Sequence, residues 1–96
     1  MSVNHLHLVQ CSYQRLPDCL QELTQVYQDN DVICLMEDAT LAIYDVQLKQ
    51  FKKVLLLATD AELIDQSPLP SKHIEMIEYT DLANYIAQAN KVLTWR

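Results

Sequence analysis

The residues of this chain best suited to chemistry are three cysteines, at positions 11, 19 and 34. Cys19 follows Pro17-Asp18, a pair that opens a helical pattern, so its thiol is expected in the first turn of a helix. Backbone donors and the helix dipole at such a position favour the thiolate, the form that accepts and passes sulfane sulfur. Asp18 and Glu22 work against this by placing negative charge around the sulfur. Helical spacing also sets Cys19 beside Leu16, Leu20 and Leu23, where a thiol can serve as a small buried hydrophobe. Cys11 lies in the loop after a first strand, near the carboxyl edge of the sheet, and is a second candidate. Cys34 sits in the middle of five apolar residues, 32–36, and reads as core. With spacings of eight and fifteen, the three cysteines match neither a disulfide framework nor a Cys-x-x-Cys site. Free thiols in a reducing compartment are therefore expected.

Other polar groups offer less. His5 and His7 alternate with Leu6 and Leu8 and can share one face of a strand. A metal pair is conceivable, but no further His, Cys or Glu joins them at an obvious spacing. No metal site is assigned, and partly buried or edge histidines are the plainer reading. Glu37 and Asp38 close the apolar run, where a strand's carboxyl end and the ligand crevice of an open α/β sheet belong. The plainer reading is that Asp38 caps the next helix. No Ser-His-Asp or paired-carboxylate arrangement stands out. The chain has no glycine, which excludes the Walker loop and the dinucleotide fingerprint, and no cofactor is expected. Turns that need positive φ fall to asparagine or aspartate, near Asn30 and Asn90. Thirteen acidic against seven basic residues give a net charge of −6, so direct binding of nucleic acid by the chain alone is not expected.

Positioning these groups falls to one domain, residues 1–96, with a modest core that buries about 60% of the unfolded surface. Half the residues are hydrophobic and 21% are charged, an ordinary globular balance. No apolar run approaches the roughly 20 residues of a membrane span. The first residues lack a basic segment followed by an apolar one, so a cytoplasmic chain without membrane attachment is expected. Strands are predicted at 5–9, 32–36, 53–57, 74–77 and 92–95. A first helix starts at Pro17 with Asp18 as its cap, and Leu16, Leu20, Leu23 and Val26 or Tyr27 form its apolar stripe. One or two short helices are predicted across 39–51, and another from Thr59-Asp60 through Asp65. Ser67-Pro68-Leu69-Pro70 reads as a loop. Thr80 or Asp81 caps a last helix lined by Leu82, Ala83, Ile86 and Ala89, and Asn90-Lys91 turns the chain. The unalternating run at 32–36 implies a strand covered on both faces. The predicted fold is α/β, a three-layer sandwich with a mainly parallel sheet of about five strands. The terminal strand is an edge, where Val92 and Trp95 offer an apolar surface to a partner.

Five stretches stand in order along the chain: His5-Leu6-His7, Pro17-Asp18-Cys19-Leu20, Leu35-Met36-Glu37-Asp38, Ile77-Glu78-Tyr79-Thr80-Asp81-Leu82 and Asn90-Lys91-Val92-Leu93-Thr94-Trp95. Together they resemble the DsrH/TusB family of the DsrE/DsrF/DsrH sulfur-relay group. The tyrosine-aspartate stretch followed by the terminal Val-x-x-Trp is the most specific, and the resemblance spans the whole chain. It implies a DsrEFH-like fold and a subunit rather than a complete enzyme. Such subunits assemble with homologous TusC/DsrF-like and TusD/DsrE-like subunits in a heterohexamer, two copies of each. In the Tus system the complex relays persulfide sulfur from a cysteine desulfurase toward 2-thiolation of the tRNA wobble uridine. The principal sulfur-carrying cysteine belongs to the TusD/DsrE-like subunit. Some family members carry a cysteine at the head of the first helix, and this makes Cys19 an accessory catalytic candidate. A DsrH-like role in dissimilatory sulfur oxidation and a free-standing persulfide sulfurtransferase using Cys19 are the alternatives. The family often has glycine where this chain has Ala39, and again near Gln66, so the loops there are expected to differ.

Overall fold

Two strands that are apolar at every position, Val32–Leu35 (β2) and Val54–Leu57 (β3), form the middle of the sheet, and all eight of their residues are buried. The computed structural model describes residues 3–44, 46–63 and 73–96. Val3–Val9 (β1) and Ile74–Ile77 (β4) flank the central pair, and Ala89–Trp95 (β5) lies outside β1. The order is β4-β3-β2-β1-β5 and every pairing is parallel. The predicted fold class is therefore the observed one. Strands without polar alternation need cover on both faces, and the chain supplies it.

From β1 to β4 the sheet grows in one direction. Leu16–Val26 (α1) and two 3₁₀ segments, Glu37–Tyr44 and Val46–Gln50, supply the connections up to β3. They pack on one face, where Leu16, Leu20, Leu23, Ala42, Ile43, Leu48 and Phe51 meet Val9, Ile33, Leu35, Val54 and Leu56. Tyr79–Gln88 (α2) then carries the chain back to β5 and covers the other face, with Leu82, Tyr85 and Ala89 against Leu6, Val32, Cys34, Leu55 and Leu57. Helices on opposite faces follow from right-handed crossovers running in opposite directions.

Local detail departs from the sequence reading in several places. The residue preceding α1 is Arg15, with Pro17 at the helix start, so Asp18 lies within the first turn and is not its cap. Glu78, rather than Thr80 or Asp81, precedes α2, and Asp81 closes a capping box by accepting the Glu78 amide at 3.1 Å. Tyr85 takes the inward position predicted for Ile86, which is exposed. Asn90-Lys91 does not turn; β5 begins at Ala89 and runs straight through both residues. Of the two predicted positive-φ asparagines only Asn30 has one, at 71°, and Glu37 supplies the other at 54°. The short helices predicted across 39–51 form as 3₁₀ segments, and Ala58–Leu63 is a further one. The end of that helix toward Asp65 and the loop at Ser67-Pro68-Leu69-Pro70 fall outside the described residues.

Candidate functional site

Cys11 comes two residues after the end of β1, and Cys19 is the fourth residue of α1, so both belong at the carboxyl end of the sheet. Their sulfurs are joined. Both residues are buried, at 0% and 3% exposure, in the core under α1 with Val9, Leu16 and Ala39. This corrects the expectation of three free thiols. A spacing of eight carries no disulfide signature, but the turn of residues 12–15 folds the helix start back over the end of β1. Cys34 alone is free, and it is fully buried on β2. Burial, helped by the negative charge of Asp60, pushes its thiol up to about 12, which leaves it inert at neutral pH. Its assignment to the core is correct.

Around this edge the strand ends are tied by backbone groups. The Gln10 amide donates to the Trp95 carbonyl at 2.8 Å, and the Met36 amide to the Val9 carbonyl at 3.0 Å. Glu37 and Asp38 are exposed and open a 3₁₀ segment, while the Glu37 amide donates to Asp60 Oδ2 at 3.0 Å. The acidic pair thus begins a helical turn, with the Glu37 amide committed to Asp60.

A second polar group lies on the same face of the sheet, toward the amino ends of the strands. Asp31 precedes β2 and falls beside His5, one step before the Leu6 to Val32 pairing. Its carboxylate accepts from the His5 amide at 3.1 Å and the Gln28 amide at 3.0 Å, and lies 2.9 Å from His7 Nε2. Trp95 Nε1–H donates to His7 Nδ1 at 3.1 Å. An indole nitrogen can only donate. Nδ1 must therefore present its lone pair, and the His7 proton sits on Nε2, facing Asp31. Burial alone would raise the Asp31 pKa, but hydrogen bonds from His7 and from the Gln28 and His5 amides outweigh it and hold the carboxyl below its usual range.

His5, His7 and Asp31 bring one ligand atom each within 4.8 Å of one another, so tertiary structure supplies the third group that spacing did not. The chemistry of the set does not fit a metal. A histidine bound through Nε2 carries its proton on Nδ1 and needs an acceptor there. His7 Nδ1 faces the Trp95 donor instead. The set reads as a hydrogen-bonded lock across β2, β1 and β5. Trp95 accordingly turns inward, where it packs partly buried against the core under α1, and is not the outward partner anchor predicted. Val92 stays exposed on the edge strand at 38%. A groove of about 520 Å³ adjoins this set, sharing Asp31 and opening among Val3, Val32, Lys53, Asn84 and Tyr85, with Lys53 Nζ 4.9 Å above the Tyr85 ring. It lies at the amino ends of β1 and β2, away from the cysteines.

No family model and no curated protein matches the chain. Among solved structures, the ychN protein from E. coli is similar over 99% of this chain and 100% of its own, with a TM-score of 0.68 at 20% identity. The likeness is one of fold, and it bears out the DsrEFH-like architecture expected from the resemblance.

Sequence reasoning found Cys19 and Cys11 and their place in the fold, but missed their pairing. It also missed Asp31 and Trp95 as the partners of His7. One available signal was the position of Asp31 just before a strand parallel to β1, because register then sets it beside the histidines.

Proposed function

We propose that this chain is a TusB-like subunit of a cytoplasmic sulfur-relay complex, partnered by homologous TusC/DsrF-like and TusD/DsrE-like chains, that serves 2-thiolation of the tRNA wobble uridine. The observation that carries the reading is where the family-like stretches fall in a fold matched end to end by a solved structure. Pro17-Asp18-Cys19-Leu20 heads α1, Leu35-Met36-Glu37-Asp38 leaves the carboxyl end of β2, the Tyr79-Thr80-Asp81 stretch opens α2, and Asn90-Lys91-Val92-Leu93-Thr94-Trp95 is β5. A cysteine at the carboxyl end of a parallel sheet occupies the usual ligand edge of such folds. No described helix is long and apolar enough to cross a membrane, which is compatible with the cytoplasmic part of the proposal. Burial of Cys19 against Cys11 supports an accessory role over that of primary sulfur carrier.

Co-expression with its genomic neighbours, followed by size-exclusion chromatography, is expected to give a complex containing this chain. Deletion is expected to remove thiouridine from the tRNA wobble position. Elution of the chain alone under all conditions, with thiolation intact in the deletion strain, would overturn the proposal. Loss of sulfur oxidation instead of tRNA thiolation would favour the DsrH-like alternative.

A further inference from the structure

We infer that Cys11 and Cys19 form a resolving couple that discharges a persulfide as sulfide. The inference rests on the sulfur-relay reading for its donor, and on the structure for its two sulfurs. A sulfur pair already within bonding reach needs no rearrangement for one cysteine to attack the other. A disulfide in a reducing compartment is usually a transient of catalysis or sensing rather than a permanent brace. Position assigns the roles. Cys19, at the head of an eleven-residue helix, is the less buried of the two at 3% exposure against 0% for Cys11, so it is the acceptor. Cys11, in the connection after β1, is the resolving thiol.

The chemistry balances in three steps. The Cys19 thiolate attacks the outer sulfur of a donor persulfide, R–S–SH; the donor S–S bond breaks, RS⁻ leaves, and Cys19 becomes Cys–S–SH. The Cys11 thiolate attacks Cys19 Sγ; a Cys11 to Cys19 bond forms, and the outer sulfur departs as HS⁻ with the electron pair of the broken bond. Sulfane sulfur is thereby reduced by two electrons, and two thiols are oxidised to one disulfide. A dithiol reductant of the thioredoxin class then restores both thiols and leaves as its own disulfide.

The test uses the full chain, reduced, desalted and mixed with glutathione persulfide in slight excess. Sulfide release is measured, and the cysteine state is read by intact and peptide mass. The wild type is expected to release close to one sulfide per chain and to end with Cys11 and Cys19 joined. Cys11→Ala is expected to hold one extra sulfur on Cys19 and release several-fold less sulfide. Cys19→Ala is expected to do neither. Both sites are buried, so alanine is chosen over serine, and circular dichroism checks each fold. The wild type is decisive without the variants: a persulfide that persists on it, or sulfide release without the disulfide, overturns the inference. A chain that resolves the persulfide but joins no complex and leaves tRNA thiolation unaffected would separate this chemistry from the relay reading.

Discussion

At His7 two neighbours decide what the ring can do. The indole of Trp95 holds Nδ1 as an acceptor, and Asp31 takes the proton-bearing Nε2. Trp95→Phe keeps the ring but removes the donor, leaving a buried nitrogen unpaired. We expect a loss of about 1–3 kcal/mol in urea unfolding, with ¹⁵N NMR showing the wild-type His7 as the Nε2–H tautomer. An unchanged urea midpoint would mean that the lock contributes nothing. Asp31 carries a pH signature. Its folded pKa lies below its unfolded one, so its stabilising contribution is complete above the ordinary carboxylate range, about 4, and is lost as pH falls through the lower folded value. Asp31→Asn should be less stable than wild type at pH 7 and should fall less steeply on acidification below about pH 5. Parallel curves for the two proteins would reject the assignment.

Among the elements, α2 is the most dependent on its terminal chemistry. It is ten residues long, Leu82 is its one buried residue, and it must cross from β4 at one edge of the sheet to β5 at the other. An isolated helix of that length is marginal in water. The capping box of Glu78 and Asp81 satisfies donors that would otherwise face solvent unpaired. Asp81→Ala is expected to cost about 1 kcal/mol, read as a lower thermal midpoint with near-native circular dichroism. A change within error would show that the packing of Leu82 and Tyr85 holds α2 without the cap. The first helix differs, because Leu16, Cys19, Leu20 and Leu23 are all buried, and it tolerates an Arg15 that makes no side-chain cap.

Over the whole molecule, charge settles one question and topology another. A net charge of −6 offers no evident means of displacing counterions from phosphates. The purified chain is expected not to retard tRNA in a native gel at concentrations that saturate a basic control protein. A retarded band that disappears on adding salt would contradict this. The sheet order sets the first and last strands side by side and parallel, with β5 beside β1 across seven residues of strand. That arrangement leaves β5 as an edge, with Val92 exposed on it, and an edge strand is a place where a partner chain can add on.

The sequence alone determined the layers: apolar runs at 32–36 and 54–57 demand cover on both faces, and the helical stripe of Leu16, Leu20 and Leu23 provides part of it. It also determined that Cys34 is core, because a residue inside such a run has no wet face. These are local properties, carried by period and composition within a few residues. Only the tertiary structure decided that Cys11 meets Cys19, that Asp31 and Trp95 complete His7, and that Tyr85 rather than Ile86 faces the sheet. The His7 contact with Trp95 spans 88 positions and that with Asp31 spans 24, so both depend on strand order and register. Parallel pairing sets Val9 beside Trp95 and Leu6 beside Val32. No local pattern reports which strands will be neighbours, so groups chosen by that pairing stay hidden until the sheet is assembled.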